Sequence, residues 1–143
     1  MEDISSIFKS LDYLYYECAK NSGMPETAFF IMMAVREKDG ECTQTDICER
    51  WTMSRQTVNS SLKKLEKDGF LLLIPADTGK KKTIKLTNKG IEYSEKHIDS
   101  VFEYEKAAWL SLPKEKQTAF LEIAKEYYKS FKNAMEQSKK TEN

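Results

Sequence analysis

The feature that most constrains this chain is a change of period in its middle third. From Thr43 to Asp68 apolar residues recur at helical spacing, from Phe70 to Thr87 they form two short strand-like runs, and beyond Thr87 the helical spacing returns. The two runs, Phe70-Leu71-Leu72-Leu73-Ile74 and Thr83-Ile84-Lys85-Leu86-Thr87, flank Pro75-Ala76-Asp77-Thr78-Gly79-Lys80-Lys81-Lys82. That connection has turn chemistry and ends in three lysines, so the segment reads as an antiparallel hairpin with a basic loop.

The helices around it are legible from their stripes and stops. Residues 3–20 carry Ile4, Ile7, Phe8, Leu11, Leu14, Tyr15 and Cys18 on one face, and Asn21-Ser22-Gly23 ends that helix. Residues 26–38 are apolar on most sides, which predicts the central core helix, started by Pro25 and stopped by Asp39-Gly40. Thr43 caps a third helix, and Asp46 completes a short-armed capping box. After a turn at Thr52-Met53, Ser54 caps a fourth helix over 55–68, and Gly69 takes the left-handed position at its end. One helix is expected over 88–110. Another is expected over 113–136, with Ser111 as its cap, Pro113 in its first turn, and a frayed tail at 137–143.

Charge sharpens this outline. The chain as a whole is neutral. Residues 50–89, however, hold ten Lys/Arg against three Asp/Glu, whereas residues 1–49 hold four against ten. A basic middle segment in a neutral chain is the footprint of a polyanion binder. Two capped helices joined by a tight turn form a helix-turn-helix, whose second helix can enter a major groove. Ser54, Arg55, Gln56, Thr57, Asn59 and Ser60 supply side chains that read base edges, and Lys63 and Lys64 supply phosphate anchors. Thr43, Gln44 and Thr45 on the supporting helix and Lys80, Lys81 and Lys82 on the hairpin add backbone contacts. Two different roles are open to such a basic face: binding duplex DNA, or docking an acidic protein.

Other chemistries find little support. There is one histidine, no phosphate-binding glycine loop and no nucleophile–base pairing, so an enzyme is not expected. Cys18, Cys42 and Cys48 with His97 lack the short spacings of a zinc site, so neither metal nor cofactor is expected. With no secretory pattern and no apolar run of membrane-spanning length, the expectation is a cytoplasmic protein without a membrane partner.

The stretch Leu62-Lys63-Lys64-Leu65-Glu66-Lys67-Asp68-Gly69-Phe70, followed by strand, basic wing and Leu86-Thr87-Asn88-Lys89-Gly90, resembles the winged-helix core of the MarR (multiple antibiotic resistance regulator) family. The family's Leu-Glu-x-x-Gly and Leu-Thr-x-x-Gly are matched by Leu65-Glu66…Gly69 and Leu86-Thr87…Gly90, and the likeness extends over about residues 3–136. It implies a mostly α fold: a winged helix-turn-helix core at 25–87 with a two-stranded wing, flanked by dimerisation helices at 1–24 and 88–136, all in one domain. It implies a homodimer on pseudo-palindromic double-stranded DNA, acting as a transcriptional regulator and repressor, with half-site centres about 34 Å apart.

The resemblance also implies two forms of control. Small aromatic effectors bind some members, and Tyr15, Phe30 and Phe102 are the candidate lining here. Other members sense oxidants through a first-helix cysteine, for which Cys18 is the counterpart. One departure stands out: the family's wing arginine is missing, and lysines stand in the wing. Lysine lacks arginine's planar fork, so this wing is expected to hold phosphates rather than read a narrow minor groove.

Overall fold

The computed structural model describes residues 3–75 and 81–141. Contacts divide the chain into two compact units, the first ending at Phe102 and the second beginning at Glu103.

In the first unit, α1 (Ile4–Ser22) is capped by Asp3, whose carboxylate accepts from the Ser6 N–H at 2.8 Å, and ends on Gly23 at φ +73°. α2 (Glu26–Glu37) buries Ala28, Phe29, Ile31, Met32, Met33, Ala34 and Val35, and is the core helix its composition predicted. The chain then enters β1 (Glu41–Thr43), α3 (Gln44–Trp51), α4 (Arg55–Lys67), β2 (Leu71–Ile74), β3 (Thr83–Leu86), α5 (Asn88–His97) and the start of α6 (Asp99–Leu110).

The capping box on α3 is present in full. The Thr43 hydroxyl accepts from the Asp46 N–H at 3.2 Å, and the Asp46 carboxylate accepts from the Thr43 N–H at 2.8 Å. Ser54 caps α4 through the Thr57 N–H, and Gly69 lies at φ +82° past its end. α4 is fastened by Val58, Leu62 and Leu65, each at most 3% exposed, so its polar side is fixed outward.

The expected hairpin of β2 and β3 is present, and β1 joins it as a third strand in an antiparallel sheet ordered β1-β3-β2, with Cys42 and Leu73 each opposite Ile84. Two expectations need correction. The single helix over 88–110 is two helices. Ile98, fully buried, turns inward between them, and Asp99 at the start of α6 takes a two-pronged contact from Arg36 of α2 at 2.7 and 2.8 Å. Ser111 does not cap the last helix: its hydroxyl donates back to the Ala108 carbonyl at 2.7 Å, closing α6 instead.

In the second unit, α7 (Lys114–Thr141) continues through most of the expected tail. Gln117, 8% exposed, donates to the carbonyls of Trp109 and Leu112 and so ties the α6–α7 turn. Among the described residues no helix is long and apolar enough to cross a membrane.

Candidate nucleic-acid interface

The two sequence motifs around Gly69 and Gly90 form a single joint. Thr87 caps α5 by accepting from the Gly90 N–H at 3.1 Å. Its hydroxyl also donates toward the carbonyls of Gly69 at 2.6 Å and Phe70 at 3.1 Å, while its own N–H donates to Phe70. A Cβ on Gly90 would collide with the Phe70 carbonyl, so only glycine lets α5 start there. Lys89 clamps the same joint, donating to the Asp68 carbonyl at 2.6 Å and lying over the Phe70 ring at 4.3 Å. The end of α4 and the base of the wing are therefore fixed to each other.

Held this way, α3, α4 and the wing base enclose a groove of about 320 Å³. It is lined by Thr43, Gln44, Thr45, Arg55, Asn59, Lys63, Lys81 and Lys82, together with Leu62, Glu66, Leu73 and Ile84. Eight of the predicted DNA-contacting residues thus converge on one concave surface. Ser54, Gln56, Thr57 and Ser60 are exposed along α4 beside it. Lys80 lies outside the described residues.

Side-chain geometry refines several roles. The Gln44 amide donates to the Arg55 carbonyl at 3.1 Å, and the Arg55 guanidinium reaches the Thr45 hydroxyl at 3.4 Å. The first turns of the two helices are thereby stitched together, and Arg55 is pre-aimed. Hydrogen bonds from the Thr43 backbone and hydroxyl hold the Asp46 carboxyl below its usual range, and Lys38 and Lys81 add smaller pulls in the same direction.

The basic footprint is narrower than the sequence count suggests. Arg50 is bound to Glu37 at 2.8 Å, Lys85 to its cross-strand neighbour Glu41 at 2.9 Å, and Lys89 is engaged in the joint. Arg55, Lys63, Lys81 and Lys82 face the groove.

Lys64 is set apart from its neighbour. It lines a different cavity of about 690 Å³, with Ser61 and Leu65 of α4 and its C-terminal cap Asp68, Ser22 to Pro25 of the α1–α2 turn, Thr27, Ala28, Phe70, Tyr93 and His97. The Tyr93 hydroxyl is buried there without a completed hydrogen bond; burial pushes its titration up and the nearby Ser22 hydroxyl draws it back. Burial, and then Lys96, lower the affinity of His97 for a proton. Sequence reasoning missed this cavity, because its walls come from segments far apart in the chain.

The three candidate effector residues are not brought together. Tyr15 and Phe30 meet with ring centroids 6.3 Å apart and line a third cleft, whereas Phe102 packs on the core and is not part of that lining. The Cys18 thiol is pushed up, first by burial and then by Glu17, and Cys42 is pushed up to about 12 by burial. Both shifts disfavour the reactive thiolate. Among the described residues no three His, Cys, Asp or Glu side chains gather as a metal site.

Comparison with known proteins agrees with this architecture. Residues 22–81 match a family model described as MarR family. No curated protein sequence matches the chain. Solved structures superpose on most of it. NMB1585, a MarR family regulator from Neisseria meningitidis, is 16% identical with a TM-score of 0.73, covering 96% of this chain and 99% of its own. NadR, solved in complex with 4-hydroxyphenylacetate, is 18% identical with a TM-score of 0.69, covering 87% and 88%. BpsR of Bordetella bronchiseptica, whose DNA binding is regulated by 6-hydroxynicotinic acid, is 14% identical with a TM-score of 0.61, covering 89% and 99%. Residues 22–81 thus resemble the MarR family's winged helix, and the chain as a whole takes the fold of these solved structures.

Proposed function

We propose that this chain is a sequence-specific double-stranded DNA-binding transcriptional regulator that works as a homodimer, represses, and is released by a small aromatic ligand. The observation that carries the reading is the groove at α3, α4 and the wing base, into which Arg55, Lys63, Lys81 and Lys82 converge beside the exposed start of α4. Arg55, Gln56 and Asn59 are suited to base edges, and the wing lysines to phosphates.

Dimerisation is supported by two solvent-exposed apolar stripes. On α1, Ile4, Ile7, Phe8, Leu11 and Leu14 are each 44–57% exposed. On α7, Phe120, Ile123, Tyr127, Phe131 and Met135 are each 43–65% exposed. Stripes of this length on a chain of this size are normally covered by a partner, and a two-fold pair is the commonest closed arrangement.

The effector part of the proposal rests on the 690 Å³ cavity. Its apolar walls suit a ring, and Lys64, which shares the lining with Asp68, is the cation available to an acid group. The ligands named with BpsR and NadR are hydroxylated aromatic acids, which have this chemistry.

Selection from a random duplex pool, followed by a salt titration on the selected sequence, tests the proposal. A two-fold symmetric consensus is expected. Four groove cations per protomer give a log–log slope of about −7 for a dimer, at about −0.9 per phosphate. Gln56→Ala should erode discrimination against random DNA, whereas Lys81→Ala should weaken both equally and flatten the slope by about two. Failure to retard any duplex at low salt would leave the basic face to an acidic protein partner and end the DNA reading.

A further inference from the structure

The third cleft, of about 490 Å³, opens between α1, α2 and α3. It is lined by Asp12, Tyr15, Glu26, Thr27, Phe30, Arg50, Trp51 and Met53. Its lining carries two carboxylates and one cation, whereas that of the Lys64 cavity carries one lysine and one carboxylate, Asp68. Three aromatic rings form its floor: Phe30 and Trp51 have centroids 4.7 Å apart, and Tyr15 meets each edge-on at 6.3 and 6.2 Å.

The charges at its rim do not cancel. Arg50, the one cation in the lining, lies over the Trp51 ring at 4.6 Å. Its Nε donates to Glu37 at 2.8 Å and a second nitrogen to the other carboxylate oxygen at 3.5 Å, so its charge is already met. Asp12 and Glu26 make no ion pair among the described residues, and both are exposed at the cleft. An aromatic acid entering here would face two carboxylates. A cation would face two carboxylates and the electron-rich rings of Tyr15, Phe30 and Trp51, the last of which already carries the Arg50 guanidinium at 4.6 Å.

We infer that this cleft is a binding site for a flat organic cation, such as an N-alkylated aromatic heterocycle, with Asp12 and Glu26 as its counter-charges and Tyr15, Phe30 and Trp51 as its platform. The inference does not rest on DNA binding, and it concerns a different cavity from that of the proposed aromatic acid.

The test is calorimetric titration of the full chain with 1-methylquinolinium and, separately, with quinoline, which is the same shape and neutral at pH 7.5. The cation should bind about tenfold more tightly, the combined effect of one ring face and nearby screened carboxylates. In Asp12→Asn/Glu26→Gln, both changes being at exposed positions, the preference should vanish while quinoline affinity holds. In a Trp109→Phe background, saturable quenching of the remaining Trp51 emission should track the heat. Equal affinity for the two compounds, a preference that survives the double neutralisation, or heat without a Trp51 response would each overturn the assignment.

Discussion

Replacing Gly90 by alanine separates two physical accounts of the Leu-Thr-x-x-Gly motif, because they predict opposite signs. Gly90 lies in the first turns of α5, at a helical position. If helix propensity decided the outcome, alanine would stabilise the chain by about 1 kcal/mol. The structure points the other way. A Cβ there would drive into the Phe70 carbonyl oxygen and come to 3.2 Å from both the Phe70 carbonyl carbon and Leu86 Cδ2. The carbonyl cannot step aside cheaply, since it accepts from both the N–H and the hydroxyl of Thr87 at 3.1 Å. Forcing one methyl into a packed joint costs about 1–3 kcal/mol, and moving a carbonyl off two donors costs about 1 kcal/mol or more for each. Less the propensity gain, the net loss is about 3 kcal/mol, roughly 6–12 °C in Tm for a chain of this size. Urea unfolding followed by circular dichroism, at one fixed protein concentration, reads it directly. A midpoint equal to or above the parent's would refute the argument that this glycine exists to admit the Phe70 carbonyl.

Three further outcomes follow from local geometry. Thr52 ends α3 at φ +52°, a region that penalises a β-branched residue by about 1–2 kcal/mol, so Thr52→Gly should raise stability by about 0.5–1 kcal/mol after glycine's own entropy is subtracted, read as a higher urea midpoint. The carboxyl of Asp46 is held below its usual range, so its contribution is complete above the unfolded value near 3.9 and is lost as the pH falls through the folded value; the stability gap between the parent and Asp46→Asn should therefore shrink from pH 6 to pH 2. The raised titration of Cys18 predicts alkylation by iodoacetamide at pH 7.5 several-fold slower in the folded chain than in urea, and faster labelling when folded would revive an oxidant-sensing role.

What could be read in advance was local. The caps at Thr43 and Ser54, the stops at Gly23 and Gly69 and the core helix around Phe29 to Val35 depend on neighbours within a turn, and the structure has them where the sequence predicts. β1 escaped because its ladder partner, Thr83 to Lys85, lies some forty residues away, and because its last residue doubles as the α3 cap. The break at Ile98 escaped because it is set by the hold of Arg36 on Asp99, sixty-three residues apart. The cavities escaped for the same reason. One signal was available and unused: Arg55, Asn59 and Lys63 are spaced by four and share one edge of α4, whereas Lys64 belongs with Ser61 and Asp68 on another.

Under the proposed DNA reading, that division of α4 into two edges gives the helix two audiences. Val58, Leu62 and Leu65 fix it as a rod, Glu66 ties it to the Leu73 N–H at 3.2 Å, and Lys89 ties its end to the wing joint. A ligand behind such a rod cannot weaken DNA binding merely by adding charge, because a screened charge loses most of its reach within about 8–10 Å. It has to favour a position of the rod that DNA does not. A hundredfold release requires about 2.7 kcal/mol of preference between the two positions. Lys64 is the α4 cation in that cavity, and Lys63 is its counterpart in the groove. Lys64→Met keeps the aliphatic stem and removes the charge. It should lower affinity for a hydroxylated aromatic acid about tenfold while leaving ligand-free DNA affinity and its salt slope unchanged, whereas Lys63→Met should flatten that slope by about two in the dimer. Calorimetry with 4-hydroxybenzoate and fluorescence anisotropy with the selected duplex measure the two arms separately. If Lys64→Met flattened the slope as much as Lys63→Met, the two lysines would be equivalent phosphate anchors, and the cavity would have no hold on the recognition helix through charge.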